Sequence, residues 1–308
     1  MKKLYLYPNA KRHVHDDIPM YVNCVPMSEW GIKNHFELTE NPQEADYFYM
    51  GQFDDSIAYN FPNLTKAFLF YEEFRDKHIC DIEGDWPNLY LPEWLSGSIV
   101  TVNGLYKVDK KLPLKYLVRP TFSKLFVHLA SSATIGTLPF SAGAHQFGFK
   151  GLMDPHGVRF KVATALTTTT LPYQISFNPT WNGPSPIHSD IVKEYQVHMV
   201  QNTFALCPRG NGKDSVRFFE ACFFNRVPIV IGSNVLFGEG YANLDFVEYI
   251  DENLSISKIA KALEDIYERN PPEVAWEKGL AARSYFEEYV RDYMNDPTAY
   301  FIKWCLQQ

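Results

Sequence analysis

The residues best suited to chemistry lie in one segment, 204–231, where an apolar run leads into a polar, glycine-bearing loop and then into a predicted helix. The loop and the first helical turn carry Arg209, Gly210, Asn211, Gly212, Lys213, Ser215 and Arg217. Glycines let a backbone approach a ligand closely, and the N–H groups at the start of a helix attract anions. Together with the cationic side chains, these features predict a binding site for a diphosphate.

Arg217 and Glu220 stand three residues apart on the predicted helix, so they share one of its faces. An arginine can bind phosphate oxygens with two parallel hydrogen bonds, and a carboxylate can accept hydrogen bonds from the two hydroxyl groups of a ribose. The alternative is a solvent-exposed ion pair, which contributes about 0.3–0.5 kcal/mol. Because the pair adjoins the loop, we interpret it as part of a nucleotide site.

A Walker-type phosphate loop is the rival interpretation, since Gly212 and Lys213 form the required Gly-Lys pair. That motif also requires a glycine five residues before the pair and a serine or threonine directly after the lysine. Cys207 and Asp214 occupy those two positions. The hydroxyl group that would bind magnesium is missing, and we therefore exclude a P-loop.

The elements around this segment alternate between apolar runs and amphipathic stretches, which is typical of a doubly wound α/β fold with a parallel sheet. In the second half of the chain, strands are predicted at 204–207 and 227–231, and helices at 158–166, 191–202, 215–224, 257–268 and 272–290. In the first half, strands are predicted at 3–7, 45–50, 67–71, 99–102 and 125–129. The stretch 131–148 is rich in Ser, Ala and Gly, and is interpreted as an active-site loop or an interdomain passage.

The bulk composition limits the possible functions. The net charge of −7 argues against duplex nucleic acid as a partner. The five cysteines include no C-x-x-C pair, so neither a disulfide framework nor a zinc knuckle is indicated, and a reducing compartment fits. No apolar stretch long enough to span a membrane occurs. We therefore expect a cytoplasmic protein without a membrane span.

The segment at 195–231 resembles the exostosin-type glycosyltransferases. The residues that carry the resemblance are Tyr195, Thr203, Phe204, Pro208, Arg209, Gly210, Ser215, Arg217, Glu220, Ala221 and Pro228. Shorter stretches agree in the same order: 44–48 (E-A-D-Y-F), 149–151 (F-K-G) followed by Arg159, and 243–252, which resembles the family's L-D-W…E stretch, with L-D-F in place of L-D-W and Glu252 at its end. Thr203 replaces the usual serine, and Asn225-Arg226 replaces a common Gly-Cys, without changing the class.

This resemblance implies a GT-B architecture, in which two Rossmann-like domains with parallel sheets face a cleft. The implied parts are an acceptor-side domain at 1–147, a nucleotide-sugar-binding domain at 148–285, and a C-terminal helix at 286–308 that packs back on the first domain. It also implies that a sugar passes from a nucleotide diphosphate-sugar, such as a UDP-sugar, to an acceptor glycan with inversion, without a metal or another cofactor, and with Arg159 in the donor site. In agreement, the sequence contains no D-x-D motif of the GT-A kind.

An inverting transfer requires a general base that removes the proton of the acceptor hydroxyl. Sites of parallel sheets lie at the carboxyl ends of strands, so the base is expected just after a strand of the first half. Acidic residues follow two of the predicted strands, 45–50 and 67–71. In order of preference, the candidates are Glu73, Glu72, Asp55 and Asp54.

Two other functions remain open at this point. A non-catalytic nucleotide- or glycan-binding protein on the same fold would have no base facing the bound donor. A kinase or sulfotransferase could use the loop at 209–217, and magnesium-dependent ligand binding would favour the kinase.

Overall fold

The computed structural model describes residues 1–7, 36–54, 68–83, 97–102, 105–106, 115–118, 143–152, 157–178, 189–210, 215–232, 235–236 and 244–291. The chain divides into two compact units. The first comprises Met1–Arg119, Leu236–Glu239 and Arg291–Gln308, and the second comprises Pro120–Val235 and Gly240–Val290. Each unit is built on a parallel β-sheet of its own.

The first unit contains a six-stranded sheet in which all adjacent strands run parallel. Its strands are β1 (Lys2–Leu6), β2 (Phe36–Thr39), β3 (Tyr47–Asp54), β4 (His78–Glu83), β5 (Ile99–Val102) and β7 (Lys115–Val118), and the short β6 (Leu105–Tyr106) lies outside it. Their order across the sheet is β2-β1-β3-β4-β5-β7. β1, β3 and β5 confirm three predicted strands, although β3 ends four residues later than expected, while the strand predicted at 125–129 lies outside the described residues.

The prediction of a strand at 67–71 is wrong, because the described part of this run forms turns that lead into β4. The run is apolar because Phe68 and Tyr71 fill the core from these turns. The ring of Phe68 lies 4.9 Å from that of Tyr7, and the ring of Tyr71 lies 4.9 Å from that of His78. A short apolar run cannot by itself distinguish a buried strand from a turn of this kind.

The second unit contains a five-stranded sheet, also parallel throughout. Its strands are β8 (Ala144–Leu152), β9 (Tyr173–Asn178), β10 (Asn202–Pro208), β11 (Val227–Ile231) and β13 (Glu248–Ile250), with the short β12 (Val235–Leu236) outside it. Its helices are α1 (Val158–Thr167), α2 (Ser189–Gln201), α3 (Arg217–Phe223), α4 (Ile256–Arg269) and α5 (Pro272–Tyr285), and a π-helical turn at Phe286–Val290 continues the last. The α/β class and all five helices predicted for this half are confirmed.

Helices cover both faces of the second sheet. Phe204 and Leu206 of β10 pack in one core cluster with Val162 of α1 and Leu263 of α4. Side chains alternate along a strand, so Cys207 faces the opposite side, where it is fully buried and β10 contacts α3. This two-sided burial explains why 204–207 of β10 and the neighbouring β11 read as continuous apolar runs.

The predicted boundary between the two domains, at residues 147 and 148, falls inside β8. The chain divides into its two units between Arg119 and Pro120 instead. The loop predicted at 131–148 is wrong for residues 144–148, which form the first half of β8. A Cβ atom at Gly148 would overlap the side chain of Asn202 on β10, so the small residue there serves strand packing. Of the predicted C-terminal helix, Phe286–Val290 continues α5 in the second unit, and residues 292–308 lie outside the described part of the chain.

Candidate functional site

The second sheet has a switch point between β8 and β10. Its strand order is β13-β11-β10-β8-β9, so the chain builds outward from β8 to β9 on one side and through β10, β11 and β13 on the other. In doubly wound folds the loops diverge at such a point, and ligands bind in the crevice beyond the carboxyl ends of the strands. Three of the predicted donor residues, Arg159, Arg209 and Gly210, lie at this carboxyl edge.

Arg159 connects the ends of the two strands at the switch point. It lies in the first turn of α1, and its Nη1 donates to the carbonyl oxygen of Leu152, the last residue of β8, over 2.8 Å. A Cβ atom built on Gly210, two residues after β10, would stand 2.9 Å from Nη2 of Arg159. The close approach that Gly210 permits in this structure is therefore that of the Arg159 guanidinium.

Arg209 directly follows β10 and reaches across β11. Its backbone N–H donates to Ile231 at the end of β11 over 3.1 Å, and its side-chain Nε donates to Oε2 of Glu252 over 2.5 Å. Glu252 comes two residues after β13, so this ion pair spans the carboxyl ends of three strands. The side chains of Arg209 and Glu252 are 16% and 9% exposed, so a small part of the Arg209 side chain is open to solvent.

Lys161 is a cation at this edge that the sequence analysis did not single out. It lies on α1, two residues after Arg159, and its Nζ donates to the backbone carbonyl of Glu252 over 2.7 Å. Residues two apart on a helix point in different directions, so helical spacing does not group Lys161 with Arg159. Only the position of the turn after β13 brings Lys161 to the same edge.

Arg217 lies beneath the edge rather than on it. Its guanidinium is centred 4.8 Å from the ring of Phe149 and 5.4 Å from the ring of Tyr195, and it donates to the backbone carbonyl of Lys150. The residue is only 8% exposed. Cation–π contacts in such desolvated surroundings are worth about 2 kcal/mol. Arg217 thus links α3 to the last residues of β8, and only a small part of the Arg217 surface is accessible to solvent.

Glu220 is fully buried and accepts a hydrogen bond from the hydroxyl group of Tyr195 on α2. Burial raises the pKa of Tyr195 well above its usual value, the positive charge of Arg217 opposes that shift, and Glu220 adds to it. The alternative of a solvent-exposed Arg217–Glu220 pair is wrong, because neither residue is exposed. The ribose contact of Glu220 stays a prediction, and it requires the ligand to reach a carboxylate that Tyr195 already occupies.

The loop of the predicted diphosphate site is only partly described. Ser215 is buried, with 6% of its surface exposed, and α3 begins at Arg217 as a helix of seven residues. Asn211, Gly212 and Lys213 lie outside the described residues. The roles predicted for them remain predictions.

Glu72 and Glu73 lie at the amino edge of the first sheet, opposite to where the base was expected. Glu73 accepts a hydrogen bond from Gln43 over 3.3 Å, and Gln43 belongs to the 3-10 turn that precedes β3. Glu72 pairs with Arg75 over 2.5 Å in the turn that precedes β4. Both carboxylates are exposed. The premise that they follow a strand is wrong, because the strand predicted at 67–71 does not exist.

Asp54 is the last residue of β3 and therefore stands at the carboxyl edge of the first sheet. Its register partner on β4 is Glu83, which is the last residue of that strand. Asp55 lies outside the described residues. Of the four predicted bases, Asp54 thus has the strand-end position that the prediction required.

The described part of the chain lacks both a metal-binding cluster and a membrane-spanning helix. Within that part of the chain, no group of three His, Cys, Asp or Glu side chains is arranged to hold a metal ion. None of the described helices is both long and apolar enough to cross a membrane.

The sequence matches no protein-family model and no curated protein. Among solved structures, the chain is similar to one titled "Crystal Structure of TarM", with a TM-score of 0.39 and 9% sequence identity. The aligned region covers 76% of this chain and spans 57% of the length of TarM. A likeness at that score supports no conclusion about fold or function, and the exostosin-type resemblance stays a prediction.

Proposed function

We propose that this protein is an inverting, metal-independent glycosyltransferase that moves a sugar from a nucleotide diphosphate-sugar to an acceptor glycan. The observation that carries the proposal is the set of cations at the switch point of the second sheet. Arg159 and Arg209 flank Gly210 there, with Lys161 beside them and Arg217 beneath. A diphosphate is the ligand group that best matches two guanidinium groups at the carboxyl edge of a parallel sheet.

The same cations suit the chemistry of the transfer. Cleavage of the bond between the sugar and the diphosphate moves negative charge onto the leaving phosphate oxygens. Fixed guanidinium groups can stabilise that charge without reorganising, and they could do so without a divalent ion. In the proposed GT-B arrangement the acceptor binds to the first unit. Asp54 and Asp55 rank first among the proposed bases, ahead of Glu72 and Glu73, because Asp54 ends β3.

Calorimetric titration of UDP and UDP-sugars in the presence of EDTA tests the proposal. Wild-type protein should bind UDP, and Arg159→Ala and Arg209→Ala should each weaken binding by roughly 10–100-fold, the scale of about 1.5–3 kcal/mol for a hydrogen bond to a charged group. Arg269→Ala is the matched control, because Arg269 is a half-exposed arginine of the same unit that pairs with Glu248 on the amino side of β13. Binding only with added magnesium, or an equal loss in the control, would contradict the proposal.

A non-catalytic nucleotide- or glycan-binding protein is the second candidate. It is favoured by one observation: two of the four predicted bases, Glu72 and Glu73, lie at the amino edge of their sheet. This candidate would be supported over the enzyme by tight UDP binding without hydrolysis or transfer of any tested UDP-sugar. The Asp54→Asn variant should then bind UDP with the affinity of wild type.

A further inference from the structure

We propose that Glu252 is a positioning residue of the donor site, which holds the guanidinium of Arg209 in the orientation that receives the diphosphate. The proposal rests on the proposed function, since it concerns the same site. Its basis is the ion pair between Arg209 Nε and Glu252 Oε2, 2.5 Å long and largely buried on both sides. The two residues lie 43 apart in the sequence, so no helical or strand period pairs them.

The backbone on both sides of the ion pair is fixed. Arg209 continues the ladder from β10 to β11 through its N–H bond to Ile231, and Gly232 continues the ladder from β11 to β13 through its bond to Ile250. Lys161 then holds the carbonyl of Glu252 from α1.

The turn that carries Glu252 is also closed locally. The side chain of Asp251 accepts from the backbone N–H of Asn253 over 2.9 Å. The carbonyl of Asp251 accepts from the N–H of Leu254 over 3.2 Å. The Glu252 carboxylate is therefore a stationary acceptor rather than a flexible surface group.

This acceptor leaves a defined part of Arg209 for a ligand. Nε is taken by Glu252, and Nη1 donates to the carbonyl of Gly210 over 3.1 Å. Among the described residues, none accepts a hydrogen bond from Nη2 of Arg209. An unrestrained arginine would have to be ordered when the ligand binds, which costs side-chain entropy. Pre-ordering by Glu252 removes that cost.

The Glu252 carboxylate has a second effect of opposite sign, because its negative charge repels a diphosphate. If repulsion dominated, any neutral replacement would tighten binding. If positioning dominates, a neutral replacement that can still accept from Nε should bind well, and one that cannot should bind poorly. Gln and Ala at position 252 separate these effects, since both lack the charge and only Gln retains a side-chain acceptor.

The experiment measures the Kd of UDP by calorimetry in EDTA for wild type, Glu252→Gln and Glu252→Ala, each alone and combined with Arg209→Ala. We expect Glu252→Gln to bind within about threefold of wild type and Glu252→Ala about tenfold more weakly, the scale of one immobilised side chain. The gap between Gln and Ala should vanish when Arg209 is absent. Glu248→Gln is the matched control, a buried carboxylate two residues before the end of β13 that pairs with Lys278 and Arg269, and it should leave the Kd unchanged.

Equal affinities of Glu252→Gln and Glu252→Ala, tighter binding by Glu252→Ala than by wild type, or a gap that persists without Arg209 would each overturn the proposal. If Glu252→Ala fails to fold, as judged by its thermal transition, Glu252→Met takes its place as the variant without an acceptor. If wild type itself binds no nucleoside diphosphate, the proposed function fails, and with it the ligand that Arg209 is positioned for. If wild type binds and the Gln–Ala gap is absent, only the role of Glu252 fails.

Discussion

His78 is a fully buried histidine of the first unit whose two ring nitrogens both have partners. Nδ1 donates to the carbonyl of Phe74 over 2.7 Å, and because a carbonyl can only accept, Nε2 is the acceptor for the hydroxyl of Tyr7 at 2.8 Å. The ring also stacks on Phe48 at a centroid distance of 4.8 Å. Burial lowers the pKa of His78 to about 4. His198 of the second unit is comparable, with a pKa lowered to about 4 by burial and by the charge of Arg217.

These two histidines predict a loss of stability in mild acid. Each is neutral in the folded protein but takes up a proton in the unfolded chain below its ordinary pKa of 6.5. Their stabilising effect is therefore complete above pH 6.5 and is lost as the pH falls towards 4, on the order of 3 kcal/mol for each residue. Urea unfolding at a series of pH values between 4 and 7.5 measures this slope.

The control for the acid effect is His78→Gln, which removes one titrating group. The variant should be less stable than wild type at pH 7.5. Its free energy of unfolding should nevertheless fall less steeply as the pH is lowered over the same range, because about one proton fewer is taken up on unfolding. Identical slopes for the variant and for wild type would exclude His78 as a source of the acid sensitivity.

At the residue scale, sequence reasoning identified side chains better than their surroundings. Arg159, Arg209 and Gly210 were predicted to belong to one site, and the structure brings them to one edge of the second sheet. Lys161 and Glu252 were not predicted as site residues, because their contacts depend on where the turn after β13 lies. Contacts between residues far apart in sequence have no periodic pattern that could reveal them.

Helix α5 and the turn between α3 and β11 pack closely at one point. Gly279, in the middle of α5, lies against the backbone carbonyl of Asn225, and a Cβ atom there would overlap the carbonyl oxygen. Asn225 has a φ of 55°, in the left-handed region that asparagine tolerates better than most residues. The glycine in this helix is thus required by the neighbouring backbone and not by the helix itself.

Gly279→Ala should consequently destabilise the protein although alanine favours a helix. The gain in helix propensity is about 1 kcal/mol. Overpacking costs about 1–3 kcal/mol, and the obstacle here is a backbone atom that cannot rotate away. We expect a net loss of roughly 1–2 kcal/mol in the free energy of unfolding, measured by urea titration.

Leu280→Ala provides the comparison for that variant, because Leu280 is the next residue of α5 and is 44% exposed. It should change stability by less than about 0.5 kcal/mol, as is usual for surface substitutions. A Gly279→Ala variant as stable as wild type would mean that α5 can move away from Asn225 without cost.

At the scale of elements, prediction succeeded where several independent signals agreed. In the second unit, α4 has strongly amphipathic spacing, α5 begins with a proline, and 204–207 and β11 are apolar without interruption. The failures at 67–71 and at 144–148 have a common cause. In both stretches the composition reflects packing partners elsewhere in the fold, Tyr7 and His78 in one case and Asn202 in the other.

Considered as a whole, the molecule has two units with separate sheets and separate cores, and the cations of the candidate site all belong to the second. Donor binding should therefore protect the second unit selectively. Hydrogen exchange measured with and without UDP should slow at 150–152, 207–210 and 251–254, since a ligand stabilises the state that binds it. Exchange in β1 and β3 should change little.

The same exchange experiment carries its own control, because β8 and β10 have nine and seven residues and begin at the amino edge of the sheet, away from the proposed ligand. Amides at the start of β8 and β10 should respond less than those at the ends of these strands. Protection that is confined to the first unit would contradict the placement of the donor site.

The pairing of β8 with β10 also has a consequence for synthesis on the ribosome. About 50 residues separate the end of β8 from the start of its partner, and translation at roughly 5–20 residues per second takes several seconds to supply them. During that interval Phe147 and Phe149 of β8 have neither β10 nor α4 to pack against. The nascent chain is thus exposed to misassociation until β10 emerges, and a chaperone that holds nascent chains should bind it within this window.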